Sequence, residues 1–182
     1  MIASKDRSGY FGASDTDKII GNWKTATFEK WWMQKLGINR DQFSNRYTAA
    51  GTHYEHRVLR SLGVPMEFDK QFIIEDLRLR VNLDGNTEVK NYECKTYKYA
   101  NGFKMPPKYI NQTQVQMFGS GLRETEIITY GLIEADYDNY FNPIDPERRD
   151  TFPVEYNAHW LNSVYLPRLE HLAKCLKEGR FP

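Results

Sequence analysis

The chain has 182 residues, of which 40% are hydrophobic, 14% aromatic and 27% charged, with a net charge of +1 and a mean hydropathy of −0.70. This is enough chain and aromatic bulk for one packed domain over residues 1–182, and it excludes general disorder. No apolar run approaches the roughly 20 residues that cross a bilayer, and Met1–Arg7 lacks the apolar stretch of a secretory signal, so a cytoplasmic protein without a membrane partner is expected. Cys94 and Cys175 are the only cysteines, which excludes a disulfide framework, a four-cysteine zinc site and a four-cysteine iron–sulfur cluster within the chain.

The near-neutral total hides an uneven distribution. Cys94 to Arg123 contains no Asp or Glu but carries Lys95, Lys98, Lys104, Lys108 and Arg123. Glu134 to Asp150 reverses the balance, with Glu134, Asp136, Asp138, Asp145, Glu147 and Asp150 against Arg148 and Arg149. Such runs give either one basic and one acidic face or an ordinary solvated surface.

In chain order, residues 15–37 read as a helix with Phe28, Trp31, Trp32 and Leu36 on one stripe. A second helix spans residues 44–62 and stops at Gly63 and Pro65. Strands follow at 71–75 and 77–84, where Leu79, Val81 and Leu83 alternate with polar residues, and Asp84-Gly85-Asn86 reads as a turn into a strand over 88–97. The loop at 99–108 leads to a helix over 109–120 closed by Gly121, then a buried strand at 126–133 and a polar loop at 136–146. A strand at 151–156 and a helix at 158–176, interrupted by Pro167, complete one α/β domain with a mixed sheet.

The sharpest chemical feature is Asp84 followed by Glu93-Cys94-Lys95. Residues two apart in a strand share a face, so Glu93 and Lys95 project together while Cys94 points the other way. A hairpin at Asp84 would bring two carboxylates and an ammonium into mutual reach. Hard oxygen ligands suit Mg²⁺ or Mn²⁺, and a neighbouring lysine can orient or help deprotonate an attacking water. The same alternation also suits an exposed cross-strand ion pair. Glu55 stands at i, i+3, i+4 and i+7 spacing with Val58, Leu59 and Leu62, which puts a carboxylate on a core-facing stripe. It needs a cation there, or it sits at the boundary and reaches water or an arginine. Gln112 and Gln116 share a helix face four residues apart, while Gln114 points elsewhere. His53 and His56 flank Glu55 but are poorly spaced to join it together, and His159 and His171 are remote, so no histidine-based zinc site is expected. No phosphate-cradling loop of nucleotide hydrolases occurs.

In this order, these residues make the sequence resemble the PD-(D/E)XK nuclease superfamily, and within it the YqaJ-type viral recombinases and phage lambda-type alkaline exonucleases. The pattern comprises Gly51-Thr52-His53-Tyr54-Glu55-His56, Val81-Asn82-Leu83-Asp84-Gly85, Glu93-Cys94-Lys95, the glutamine run Gln112 to Gly121, and Arg7 to Ser14, together covering about residues 7–135. Leu83 stands where the superfamily name has proline. The resemblance implies a restriction-endonuclease-like α/β fold, a mixed central sheet flanked by helices. It also implies Mg²⁺ or Mn²⁺ held by Asp84, Glu93 and the Cys94 carbonyl, with Glu55 as a further ligand. Lys95 would assist the nucleophilic water and Gln112 would line the site. Arg7 and Ser14 would hold a terminal phosphate, while Gln116, Lys98, Lys104 and Lys108 would contact DNA.

Two readings follow. One is a metal-dependent DNA nuclease, an exonuclease or nickase from a phage or mobile element acting in a bacterial host cell, with DNA, a recombination protein or a second copy of the chain as partners. The other is a counter-defence inhibitor of a CRISPR effector such as Cas9, built on a nuclease fold and using the acidic segment as a DNA mimic. The intact Asp84, Glu93 and Lys95 set favours the first.

Overall fold

A computed structural model of the protein describes residues 8–39 and 45–182. The chain begins with a short strand, β1 (Phe11–Gly12), a 3₁₀ turn (Ala13–Asp15), and helices α1 (Thr16–Ile20) and α2 (Ala26–Lys35). The single helix expected over 15–37 is thus two. Trp23 Nε1 and Arg168 Nε donate to the Ile19 carbonyl at 2.9 and 2.8 Å, satisfying a helix end that would otherwise continue. The Thr25 hydroxyl then caps α2 by accepting from Phe28 N at 3.1 Å.

Helix α3 (Arg46–Arg60) starts at Asn45, whose side chain accepts from the amides of Tyr47 and Thr48. Next come β2 (Glu67–Phe68), β3 (Gln71–Ile74), β4 (Leu79–Asn82), β5 (Gly85–Asn86) and β6 (Asn91–Lys98). Helix α4 (Pro107–Ser120) connects β6 to β7 (Glu124–Leu132), and α5 (Glu134–Asp138) occupies part of the segment expected to be loop. The chain ends with β8 (Arg149–Glu155), α6 (Ala158–Trp160), a π-helical turn (Leu161–Tyr165) and α7 (Leu166–Lys177). Pro167 lies in the first turn of α7, where its missing N–H costs nothing, so the interruption falls as the proline predicts.

The strands form two sheets rather than one. β1 runs parallel to β4, and β3 antiparallel to it, in a three-stranded sheet. The other sheet has the order β2-β5-β6-β7-β8, with β6 and β7 parallel and all other pairs antiparallel. The parallel pair is joined across α4, as a crossover connection requires. Asp84-Gly85-Asn86 is therefore not the hairpin turn. The chain crosses from one sheet to the other at Leu83–Asp84, and the turn into β6 falls at Thr87–Lys90, closed by Thr87 N to Lys90 O at 2.9 Å. The fold class is nonetheless the expected one, mixed α/β with flanking helices.

Two apolar clusters hold the layers together. One joins Phe11, Trp31, Trp32, Leu79, Val81 and Val115 to Leu169 and Leu172 of α7. The other packs Ala50, Tyr54, Val58 and Leu59 of α3 on Tyr92 and Cys94 of β6 and Ile128 and Tyr130 of β7. Tyr92 and Cys94 thus face α3, leaving Glu93 and Lys95 for the opposite face. Among the described residues, no helix is long and apolar enough to cross a membrane.

Candidate active site

The residues of Glu93-Cys94-Lys95 point as their strand period dictates. Cys94 is buried under α3, and burial pushes its thiol well above the ordinary range, with added repulsion from Asp84. Glu93 is 2% exposed and lies under α4. Gln112 Nε2 donates to Glu93 Oε1 at 2.5 Å, Gln116 Nε2 donates to Glu93 Oε2, and Lys95 Nζ donates to Glu93 Oε1. Both carboxylate oxygens are therefore held, and the i, i+4 spacing of the glutamines is what lets one helix face do this. α4 comes close enough because of Gly119, where a Cβ would meet Val81 Cγ2 at 2.6 Å.

Asp84 reaches the same place from the crossing between the sheets. Its Oδ2 accepts from the Cys94 amide at 2.8 Å, which ties it to β6. Burial, followed by the charges of Glu93 and Glu55, pushes its carboxyl well above the usual range. Glu55 lies on α3 at the cleft edge with its side chain 31% exposed, so it is a boundary residue and not a core one. Burial first, and then Glu93, push it up to about 7, against the pull of Lys95. α3 approaches β6 at Gly51, where a Cβ would stand 3.0 Å from Thr96 Oγ1. Burial alone would lower Lys95, but Glu93, Asp84 and the hydrogen bond from Lys95 to Glu93 outweigh it and hold the ammonium above its ordinary value. Nζ also sits 5.0 Å from the centroid of the Tyr109 ring.

Glu55, Asp84, Glu93, Lys95 and Gln112 line one cleft of about 520 Å³ together with Ser14. This donor set fits a hard divalent cation. Three carboxylates line the one cleft, and burial first, then repulsion from Glu93, pushes Glu55 and Asp84 upward, so that a bound cation would favour their ionised forms.

Other sequence expectations fare unevenly. Ser14 is exposed at the cleft wall, whereas Arg7 lies outside the described residues. Gln116 is 1% exposed and also donates to Asn82 O at 3.3 Å, so the phosphate contact expected of it is replaced by a grip on Glu93. Lys98 pairs with Glu134 at 2.7 Å. Lys104 and Lys108 are exposed, the latter 5.3 Å from the Tyr109 ring centroid. Of the acidic segment only Asp136 is buried, against Arg148 at 2.5 Å. Arg148 also meets Asp145 at 3.4 Å and Arg46 lies near Glu134 and Asp138, but these carboxylates, like Glu147 and Asp150, remain at the surface.

One pair in the cleft wall escapes the sequence reading. Lys35 and Asp15 form a buried ion pair at 2.6 Å, and Asp15 also accepts from Gly12 N and Trp31 Nε1. Burial opposes the Asp15 charge, but Lys35 overrides it and lowers the carboxyl. A signal for it exists, since Lys35 stands seven residues after Phe28 on the apolar stripe of α2.

No family model matches the sequence, and no curated protein matches it. Solved structures do. The alkaline exonuclease LHK-Exo from Laribacter hongkongensis is similar at 18% identity with a TM-score of 0.65, covering 94% of this chain and 93% of that one. Its complex with dAMP gives a TM-score of 0.71 at 18% identity, over 94% of this chain and 90% of that one. A phage-related exonuclease from Haemophilus somnus 129PT gives a TM-score of 0.61 at 14% identity, over 93% and 92% of the two chains. The chain therefore has the fold of the alkaline and phage-related exonucleases, which is the fold the resemblance in its motifs implies.

Proposed function

We propose that the protein is a divalent-metal-dependent deoxyribonuclease of the recombination-exonuclease kind. The observation that carries this reading is the convergence of Asp84, Glu93, Lys95 and Gln112 in one cleft, on a fold shared with exonucleases. Asp84, Glu93 and the Cys94 carbonyl would hold Mg²⁺ or Mn²⁺, with Glu55 adding a carboxylate. When bound, the ion supplies activation of water and neutralisation of phosphate charge.

The remaining tasks fall to the chain's own side chains. Gln112 and Gln116 fix both oxygens of Glu93, so the carboxylate is oriented before substrate arrives. Glu93 and Asp84 hold the Lys95 ammonium above its ordinary value, and it would serve as a hydrogen-bond donor and a positive charge beside the attacked phosphate. Ser14, together with Arg7, would hold a terminal phosphate, whose extra charge and free oxygens distinguish it from an internal one. Lys104 and Lys108 would contact backbone phosphates. Lys98 contributes less, being engaged by Glu134.

The inhibitor reading is weaker because Lys98, Arg46 and Arg148 engage Glu134, Asp136, Asp138 and Asp145 of the segment that would imitate DNA. Incubating the protein with linear and covalently closed DNA in Mg²⁺, Mn²⁺ or EDTA tests the proposal. Loss of linear DNA only, and only with metal, supports an exonuclease, while nicked circles make it a nickase. Intact DNA of both forms under every condition refutes nuclease activity.

A further inference from the structure

Beside the Asp84–Glu93 pair, the cleft holds a second set of potential ligands, of which the proposed chemistry draws only on Glu55. One ligand atom from each of Glu55, His56 and Asp69 lies within 4.8 Å of the others. His56 Nε2 is 3.2 Å from Asp69 Oδ1 and 3.8 Å from Glu55 Oε1. All three side chains line the cleft and are partly open to it, so an entering ion could keep water ligands. Their placement is set by two distant parts of the chain. Glu55 and His56 are neighbours on α3, and Asp69 stands between β2 and β3. The His56 ring packs against Phe68, with centroids 4.9 Å apart, which aims Nε2 at the two carboxylates.

We propose that Glu55, His56 and Asp69 form a second divalent-cation site, adjoining the Asp84–Glu93 site and sharing the Glu55 carboxylate with it, that takes a transition ion such as Mn²⁺ in preference to Mg²⁺. Ligands about 2.1 Å from a common ion stand roughly 3–3.5 Å from one another; the observed 3.2 and 3.8 Å lie near this range, and side-chain rotation would draw in the rest of the set, which lies within 4.8 Å. One imidazole with two carboxylates matches the donor preference of first-row transition ions, whereas Mg²⁺ favours oxygen ligands alone and gives up water reluctantly. Histidine spacing along the chain hides this site. His53 does not join it and stacks on Tyr140 instead, with ring centroids 4.5 Å apart, while Asp69 arrives from outside the helix.

The site is independent of whether the protein cuts DNA, so the test reads the ion itself. Mn²⁺ added to the purified full-length chain is examined by electron spin echo envelope modulation, which detects an imidazole nitrogen bound to the metal. Wild type should show nitrogen coupling that persists in tenfold excess Mg²⁺. It should vanish in His56→Gln and survive in His53→Gln and Asp84→Asn. Asp69→Asn, nearly isosteric, should weaken the nitrogen-coupled Mn²⁺ at least about tenfold. Absence of nitrogen coupling in wild type, or its persistence in His56→Gln, would show that the cluster is only a hydrogen-bonded ion pair. Full displacement by equimolar Mg²⁺ would overturn the selectivity. A failed nuclease assay would leave each of these readouts intact.

Discussion

Removing the charge of Glu55 should stabilise the metal-free protein at neutral pH. In the fold its carboxyl is pushed from an ordinary 4.5 up to about 7, chiefly by burial and by Glu93. A group raised in this way binds its proton more tightly when folded, so its contribution is intact below about 4.5 and is lost as pH rises towards 7. A rise of that size corresponds to about 3 kcal/mol for a buried group. The Glu55 side chain is 31% exposed, so solvent screening brings the expected figure to about 2 kcal/mol. Asp84 is displaced in the same direction and adds to the trend. Urea unfolding of wild type and Glu55→Gln in EDTA, at pH 4 and pH 8, isolates the effect. The two should have equal stability at pH 4, and the variant should be about 2 kcal/mol more stable at pH 8. Saturating Mn²⁺ at pH 8 should shrink or reverse that gap, since a cation stabilises the ionised carboxylate. Equal stability at pH 8 without metal would refute the argument that Glu55 is crowded by its neighbours.

Three further outcomes follow from individual interactions. Gln116→Leu should lower the rate of metal-dependent cleavage by about 10–100-fold in a single-turnover assay, with DNA affinity little changed, because it frees one oxygen of Glu93 without touching substrate. Replacing Lys104 and Lys108 with Gln should flatten the slope of log affinity against log salt by ~0.9 for each phosphate no longer neutralised, whereas Lys98→Gln should change it less. Asp136→Asn should destabilise the fold by about 3 kcal/mol in denaturant titration, since it leaves Arg148 buried with its main partner neutralised and disturbs the Tyr54 hydroxyl bonded to Asp136 Oδ1 at 3.0 Å.

What can be read along the chain is local. The period of β6 correctly separates Glu93 and Lys95 from Cys94, and the spacing of Gln112 and Gln116 correctly puts both on one helix face. The apolar stripes identify α2, α3 and α7. The assignment of partners is what fails. Asp84-Gly85-Asn86 has the composition of a turn, yet the carboxylate of Asp84 bonds the Cys94 amide and the chain passes between sheets there. Gln116 is expected on DNA and instead lies buried on Glu93, because nothing in its own helix announces that Glu93 will lie beneath it. Two-residue strands such as β1, β2 and β5 leave no periodicity to detect. The charge runs mislead because Lys98 and Glu134, or Asp136 and Arg148, meet only once β6, β7 and α5 are assembled.

The central claim, that Asp84, Glu93 and Lys95 make this cleft catalytic, is tested most directly by one comparison. Single-turnover cleavage of an end-labelled linear duplex in Mn²⁺ is measured for wild type, Asp84→Asn, Glu93→Gln and Lys95→Met, with matching circular dichroism spectra establishing that each is folded. Wild type should cleave in a reaction that EDTA abolishes, and each folded variant should be at least about 100-fold slower. A folded variant that cuts at the wild-type rate would contradict the claim.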